Sequence, residues 1–295
     1  MRSKAFTRIY LDPHLIEEEA QSILISGGTD EHSEFTHGMW RSCVLWNGTG
    51  DQNDTVVRDY HGRARRTPLG AKLSYLDSVL EAAFATEHIK WVRAFQVRDG
   101  VLAPHRTLHE FCHSFKRLCF PIRTDFGCLH SENDCVFHMR LGEVWHLDDS
   151  EVHSACSLSA FTRILICINF DLPKDSFESA LRGEPGRVER PEPFMPRREP
   201  IDNLFLETIY SLGAITNWQS LQDIIRLMIK THFYRDVSAI ACYDWLIEIA
   251  ARSGVPKLLQ KVTDFKRFCI DERDPFETFE WGPETKRFHP RISGP

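Results

Sequence analysis

The sequence predicts a mainly β protein that carries a smaller α-helical unit at its C-terminal end. Two observations lead to this prediction: short strands lie close together between about residues 90 and 171, and the apolar pattern becomes helical after a stretch rich in Pro and Gly. Short strands separated by turn residues are typical of an antiparallel sandwich or a small barrel. The residues alone therefore indicate a sandwich or barrel followed by helices.

The strand pattern is strongest around residue 100. Two apolar runs, Trp91 to Val97 and Val101 to His105, flank Arg98-Asp99-Gly100. An Asp-Gly pair between two such runs is a strong hairpin signal, so we expect a hairpin at this point. Further strands are expected at residues 118–123, 134–140, 144–147, 152–158 and 163–170.

The region after residue 180 has a different character. Residues 180–200 are dense in Pro, Gly and charge, which indicates a linker. Beyond it, apolar residues share one helical face in two segments, Leu221 to Ile229 and Leu258 to Phe268, and another helix is expected between them. The expected division is a β domain over residues 1–178, a linker over 179–202 and a helical domain over 203–295, which would serve packing or dimer formation.

Composition excludes several classes of partner. The chain has 295 residues and a formal charge of -6, from 36 basic and 42 acidic residues, so it offers no basic field for nucleic acid. No apolar run approaches the roughly 18 residues of a membrane helix, and no signal core follows Met1, so we expect a cytosolic protein without a membrane partner. The nine cysteines never form a C-x-x-C pair, which favours reduced thiols over disulfides or a zinc site.

Residues 151–163 indicate a site. They read as strand, turn, strand, and a turn centred on Leu158 would set His153 opposite Arg163, about 5 Å apart at Cβ. A metal bound by His153 could then hold one end of a dicarboxylic cosubstrate. Arg163 would bind the far carboxylate through a bidentate ion pair.

A second metal ligand is expected at His105, which follows Pro104 at the end of a strand. The spacing His-x-Asp places an imidazole and a carboxylate on the same face of a strand end, where both can bind one iron. In this sequence the second residue after His105 is Thr107. Unless the backbone turns sharply after Pro104, neither His109 nor Glu110 replaces the carboxylate, because His109 would lie about 13 Å along the strand and Glu110 on its opposite face.

Several segments closely resemble the bacterial free L-proline hydroxylases, the cis-3 and cis-4 enzymes. The resemblance runs colinearly from near residue 5 to about residue 272. The segments that carry it are Trp40 to Gly50, Pro104-His105-Arg106, His130-Ser131-Glu132-Asn133-Asp134, Phe137 to Trp145, His153-Ser154-Ala155 with Arg163 ten residues on, and Tyr243 to Ile249.

The resemblance implies a double-stranded β-helix (a jelly roll of the cupin type) followed by a small helical domain. It also implies an Fe(II) centre, 2-oxoglutarate as cosubstrate, and hydroxylation of a free amino acid, L-proline or a close cyclic analogue. Carried over by position, His105 and His153 would bind iron and Arg163 the distal carboxylate of 2-oxoglutarate. The substrate carboxylate would be held by Arg93 and Arg117, and Trp40 would either line the pocket or serve packing.

Thr107 departs from the family pattern, because the relatives have an iron-binding aspartate at this position. A neutral hydroxyl is a poor Fe(II) ligand and removes a negative charge. Three outcomes stay open: a hydroxylase with weaker or altered activity, a halogenase that binds chloride at the vacant position, and a non-catalytic relative. Outside the enzyme class, a small-molecule sensor and an oligomeric scaffold remain alternatives.

Overall fold

The computed structural model describes residues 1–30, 34–106, 115–148, 150–172, 177–182, 190–271 and 277–282. Within these segments, eleven strands form one antiparallel sheet and six α-helices surround it. None of the helices in these segments has the length and apolar character that a membrane span requires.

The strands and helices follow one another in an order that separates a β-rich first part from a helical last part. The strands are β1 (Lys4–Arg8), β2 (Thr29–Asp30), β3 (Thr36–Asn47), β4 (Arg65–Arg66), β5 (Ile89–His105), β6 (Phe115–Arg123), β7 (Cys128–Glu132), β8 (Cys135–His138), β9 (Glu143–His146), β10 (His153–Ser157) and β11 (Arg163–Asp171). The helices are α1 (Pro13–Ser26), α2 (Ser74–Ala83), α3 (Asn203–Tyr210), α4 (Leu221–Tyr234), α5 (Ala241–Arg252) and α6 (Pro256–Ile270).

The sheet is organised around the long strand β5. The strand order is β1-β9-β6-β11-β5-β10-β7-β8, with β3 also paired to β5. The first half of β5 pairs with β11, whereas its second half pairs with β10. The sheet therefore divides at β5 into two arms, and this curled antiparallel arrangement is the jelly roll that the resemblance implied.

The hairpin predicted at Asp99 and Gly100 is wrong, because β5 runs without interruption through both residues. Asp99 instead has a positive φ of 45°, and the register of β3 against β5 shifts between His37 and Met39. Local turn propensity is overridden here, since β3 pairs with β5 on both sides of the irregularity. The Asp-Gly pair thus bends one strand where its partners change.

The strands predicted after residue 118 coincide with β6 and β8 to β11, and the three predicted C-terminal helices with α4, α5 and α6. Strand β7 was not predicted, nor were the elements before residue 89. Helices α4, α5 and α6 pack through buried apolar side chains against the second arm of the sheet, in a core that includes Val101, Ala103, Met228, Phe265 and Phe268. The division into domains stays a prediction.

Two buried histidines in this region should make stability depend on pH. Burial, as the largest cause, lowers the pKa of both His37 and His232 to about 4. Their Nδ1 atoms lie 2.7 Å from Gln222 Oε1 and 2.9 Å from the Val237 carbonyl oxygen, respectively. Each ring is therefore held neutral in the folded state.

Because the unfolded chain takes up protons near pH 6.5 while the folded chain does not, stability should fall as pH falls. Between about pH 7.5 and about pH 5.5 we expect each histidine to remove roughly 1 kcal/mol from the free energy of unfolding. Urea unfolding at both pH values measures the difference. In His232→Gln this pH-dependent loss should shrink by the same amount, and an unchanged loss would contradict the assignment.

Candidate active site

A cavity of about 400 Å³ lies inside the curled sheet. Its walls include every predicted site residue that the structure describes: His105, His153, Arg163, Arg93, Arg117 and Trp40. Thr107, His109 and Glu110 lie outside the described residues. The described residues that the sequence indicated therefore lie on five strands, β3, β5, β6, β10 and β11, and share one cavity.

His105 and His153 are direct neighbours across strands β5 and β10. They are register partners, and their ring centroids lie 4.3 Å apart. His105 Nδ1 lies 2.9 Å from the Ala103 carbonyl oxygen, and His153 Nδ1 lies 3.0 Å from the Glu151 carbonyl oxygen. A carbonyl oxygen only accepts, so each Nδ1 carries the proton and donates it.

This hydrogen bonding fixes the tautomer that a metal site requires. With the proton on Nδ1, each Nε2 keeps a lone pair, and a backbone carbonyl that accepts from the other nitrogen is a usual outer partner of a metal-binding imidazole. Within the described segments, no group of three His, Cys, Asp or Glu side chains is arranged to hold a metal ion. Among the described residues, the two histidines therefore fit a metal as a pair, without a third His, Cys, Asp or Glu beside them.

The C-terminal helices hold the strand end that carries His105. The Tyr243 hydroxyl in α5 donates to the Pro104 carbonyl oxygen at 2.5 Å, and the Arg106 backbone N–H donates to the Cys269 carbonyl oxygen at 3.1 Å. Phe35 stacks on the His105 ring with centroids 4.3 Å apart. The helical unit therefore holds the residues directly before and after His105, Pro104 and Arg106, and thereby positions His105.

Replacing Tyr243 with phenylalanine should loosen this strand end. The Pro104 carbonyl would lose a buried donor, which destabilises a fold by about 1–3 kcal/mol, and affinity for a divalent metal should fall with it. Urea unfolding and manganese titration measure the two effects. Tyr234→Phe is the matched control, because that hydroxyl lies on the more exposed face of α4 and contacts Thr231. Equal effects of both variants would contradict the positioning role.

The hairpin that was predicted to pair His153 with Arg163 is absent. His153 pairs with His105 and with Glu132 in β7, whereas Arg163 in β11 pairs with Val97. Strands β10 and β11 take different halves of β5 as partners, so the chain crosses from one arm of the sheet to the other between residues 157 and 163. The two side chains meet in the cavity because both arms line it.

Arg163 is a buried cation that lacks a described counter-ion. Its side chain is only 2% exposed, and burial lowers its pKa. Nη2 donates to His130 Nε2 and lies 3.7 Å from Met139 Sδ, while Nε has no hydrogen-bond partner among the described residues. No described carboxylate forms an ion pair with it. A buried charge is costly without compensation, so this guanidinium suits an anion that enters the cavity.

His130 and Ser131 line the same cavity, although the sequence assigned neither a role. Burial, followed by the charge of Arg163, lowers the pKa of His130 well below its usual value. A neutral His130 can accept from Arg163 through Nε2, which leaves its proton on Nδ1. The Ser131 hydroxyl is buried and has no partner among the described residues. The available signal was the segment His130 to Asp134, which was part of the resemblance.

Arg93 and Arg117 add positive charge to the cavity beside β11. Arg93 is the register partner of Cys167, and its guanidinium lies 5.0 Å from the centroid of the Phe95 ring. Arg117 Nε lies 3.3 Å from Asn169 Oδ1. Trp40 also lines the cavity, and its buried Nε1 has no hydrogen-bond partner in the described part of the chain. The wall therefore offers donors to more than one carboxylate.

The fold and the cavity define a jelly-roll protein with a histidine pair facing an arginine-rich wall. The chain belongs to the L-proline hydroxylase family. Residues 179–278 match the family model described as L-proline 3-hydroxylase, C-terminal. The L-proline cis-4-hydroxylase of Rhizobium meliloti (strain 1021) is 30% identical over 275 residues, which cover 93% of this chain and 98% of that protein.

A second hydroxylase and a solved structure are also similar to this chain. The L-proline cis-3-hydroxylase 2 of a Streptomyces species is 31% identical over 289 residues, covering 95% of this chain and 98% of that protein. Among solved structures, HygX from Streptomyces hygroscopicus with nickel and 2-oxoglutarate bound aligns with a TM-score of 0.34 and 12% identity, covering 62% of this chain and 90% of that chain.

Proposed function

We propose that this chain is an Fe(II)- and 2-oxoglutarate-dependent oxygenase that hydroxylates a free amino acid, L-proline or a close cyclic analogue. The observation that carries the proposal is the buried Arg163 without a described counter-ion, placed in the same cavity as the His105 and His153 pair. Membership of a family whose relatives are named for hydroxylation of L-proline supports it.

In this proposal the Nε2 atoms of His105 and His153 hold the metal. Iron and 2-oxoglutarate, when bound, would together activate dioxygen for oxidation of the substrate, a chemistry that protein side chains lack. Arg163 binds the distal carboxylate of 2-oxoglutarate through its forked donors, and His130 orients the guanidinium by accepting from it. The cosubstrate would thereby be bound at one end by Arg163 and at the other by the metal that the two histidines hold.

The substrate would be oriented by its own carboxylate. Arg93 and Arg117 lie on strands β5 and β6, on either side of β11, and are proposed to hold that group. Trp40 would form the apolar wall against the ring. A cavity of about 400 Å³ is of the size expected for small-molecule ligands.

Thr107 favours two alternatives to the hydroxylase, a halogenase and a binding protein without turnover. A threonine in place of the family's aspartate leaves the metal one carboxylate short, which suits either chloride binding and halogenation or retained ligand binding without turnover. A homodimer formed through the helical unit and a cytosolic location likewise stay predictions from the sequence.

Mass spectrometry of products from a panel of cyclic and acyclic amino acids tests the proposal. With Fe(II) and 2-oxoglutarate, we expect succinate and a hydroxylated amino acid in equal amounts, with L-proline or a cyclic analogue preferred. Thr107→Asp should raise the yield. Reactions without 2-oxoglutarate are the control.

Other outcomes of the same experiment have clear meanings. A chlorinated product in chloride buffer would replace the hydroxylase with the halogenase. No turnover by either protein, despite binding of the metal and 2-oxoglutarate, would leave a binding protein and contradict the proposed activity.

A further inference from the structure

Cys119 and Cys167 form a pair of thiols in the wall of the cavity. They are register partners on strands β6 and β11, and their Sγ atoms lie 3.0 Å apart. Both are free thiols, exposed by only 1% and 6%, and both line the cavity. A small molecule that enters the cavity therefore reaches a thiol pair already aligned for bonding.

The surrounding charge distinguishes these thiols from the others. Burial opposes ionisation of Cys167, but the hydrogen bond from Cys119 and the charges of Arg117, Arg93 and Arg163 outweigh it and lower the pKa of Cys167. The pKa of Cys119 is raised well above its usual value, chiefly by burial. Cys167 is thus the thiol of the pair that ionises more readily, and Cys119 is the thiol that can follow it.

The remaining cysteines of the described segments lack this combination. Burial, as the largest cause, raises the pKa of Cys128, Cys156 and Cys242, and none of the three lines the cavity. Cys135 is the most exposed of the eight described thiols, but it lies on β8 and does not line the cavity. If exposure decides which thiol is oxidised, Cys135 should react first. If the alignment and charge of the thiol pair decide it, Cys119 and Cys167 should react first.

We propose that Cys119 and Cys167 are a reversible oxidation site that closes to a disulfide when hydrogen peroxide enters the cavity. The Cys167 sulfur attacks one peroxide oxygen and becomes a sulfenic acid. The O–O bond breaks, and the leaving hydroxide takes up the proton that Cys167 loses, which forms water. The Cys119 sulfur then attacks the Cys167 sulfur, its proton leaves with the hydroxyl group, and a second water forms. Two thiols are oxidised and one peroxide is reduced.

Closure brings the sulfur atoms from 3.0 Å to about 2.05 Å and joins β6 to β11 beside Arg93 and Arg117. This inference does not rest on the proposed oxygenase activity, because the reaction needs only the thiol pair and the peroxide.

The test is peroxide titration of the full chain in the presence of a chelator, which prevents radical formation by adventitious iron. After alkylation with N-ethylmaleimide, intact mass and peptide mapping report each thiol. We expect loss of two alkylated sites per chain and a cross-linked peptide joining Cys119 to Cys167, both reversed by dithiothreitol. Cys119→Ser and Cys167→Ser should each abolish the cross-link, whereas the matched control Cys135→Ser should retain it.

The proposal is overturned if Cys119 and Cys167 stay fully alkylated while Cys135 is oxidised. It is also overturned if they convert to sulfinic acids without a cross-link. Circular dichroism shows whether the serine variants fold, and the peptide map of the unmodified chain decides the question if they do not.

Discussion

Replacement of His153 with alanine is expected to lower affinity for a divalent metal by more than about 100-fold and to abolish turnover. The imidazole is one of two neighbouring Nε2 donors, and its Nδ1 is already committed to the Glu151 carbonyl. Even the outer partners of metal-binding residues are worth about 10- to 100-fold in affinity, so loss of a ligand itself should exceed that range.

Manganese titration followed by electron paramagnetic resonance measures this loss, and His14→Ala is the matched control. His14 is exposed on α1, outside the cavity, so its replacement should leave metal affinity unchanged. His105→Ala should behave as His153→Ala does. Metal affinity in His153→Ala within a few-fold of the parent chain would exclude the histidine pair as the metal site.

Replacement of Arg163 with methionine is expected to raise the Kd for 2-oxoglutarate by about 30-fold or more. Truncating one partner of a buried, hydrogen-bonded charge pair costs about 2–5 kcal/mol, and about 1.4 kcal/mol corresponds to tenfold in affinity. Arg163→Lys keeps the charge but loses the forked geometry, so its Kd for 2-oxoglutarate should lie between those of the parent chain and Arg163→Met.

Calorimetric titration with 2-oxoglutarate in the presence of manganese measures these constants. Arg41→Met serves as the control, because Arg41 lies on exposed β3 surface and pairs with Asp30. Equal weakening by Arg93→Met and by Arg163→Met would place the cosubstrate differently, since Arg93 is assigned to the substrate.

The local features of the site were accessible from the sequence, because they depend on neighbours in the chain. Pro104 and the apolar run before it placed His105 at a strand end, and this is where β5 ends. Helical periodicity likewise located α4, α5 and α6. These patterns extend over only a few residues, so they do not depend on which strands pair with each other.

Features that depend on which strands pair with each other could not be predicted from the sequence. The Asp99-Gly100 pair looks like a hairpin until β3 is known to run alongside both halves of β5. The proposed pairing of His153 with Arg163 failed for the same reason, because β10 and β11 take separate halves of that strand. Strand pairing is set by contacts distant in sequence, which local patterns do not encode.

Two further roles emerged only from the assembled fold. His130 contacts Arg163 across the sheet, and Tyr243 in the C-terminal helices binds the carbonyl next to His105. Neither residue has a distinctive spacing, and the helical unit was expected to serve packing or dimer formation. The structure shows that it also positions a predicted metal ligand.

The most direct measurement is incubation of the protein with Fe(II), 2-oxoglutarate, L-proline and isotopically labelled dioxygen, followed by mass spectrometry of both products. An oxygenase built on this cavity should place one labelled oxygen atom in the hydroxylated amino acid and one in succinate. Thr107→Asp should give the same labelling with more product. Unlabelled products, or none from either protein under conditions where metal and 2-oxoglutarate bind, would contradict the proposal.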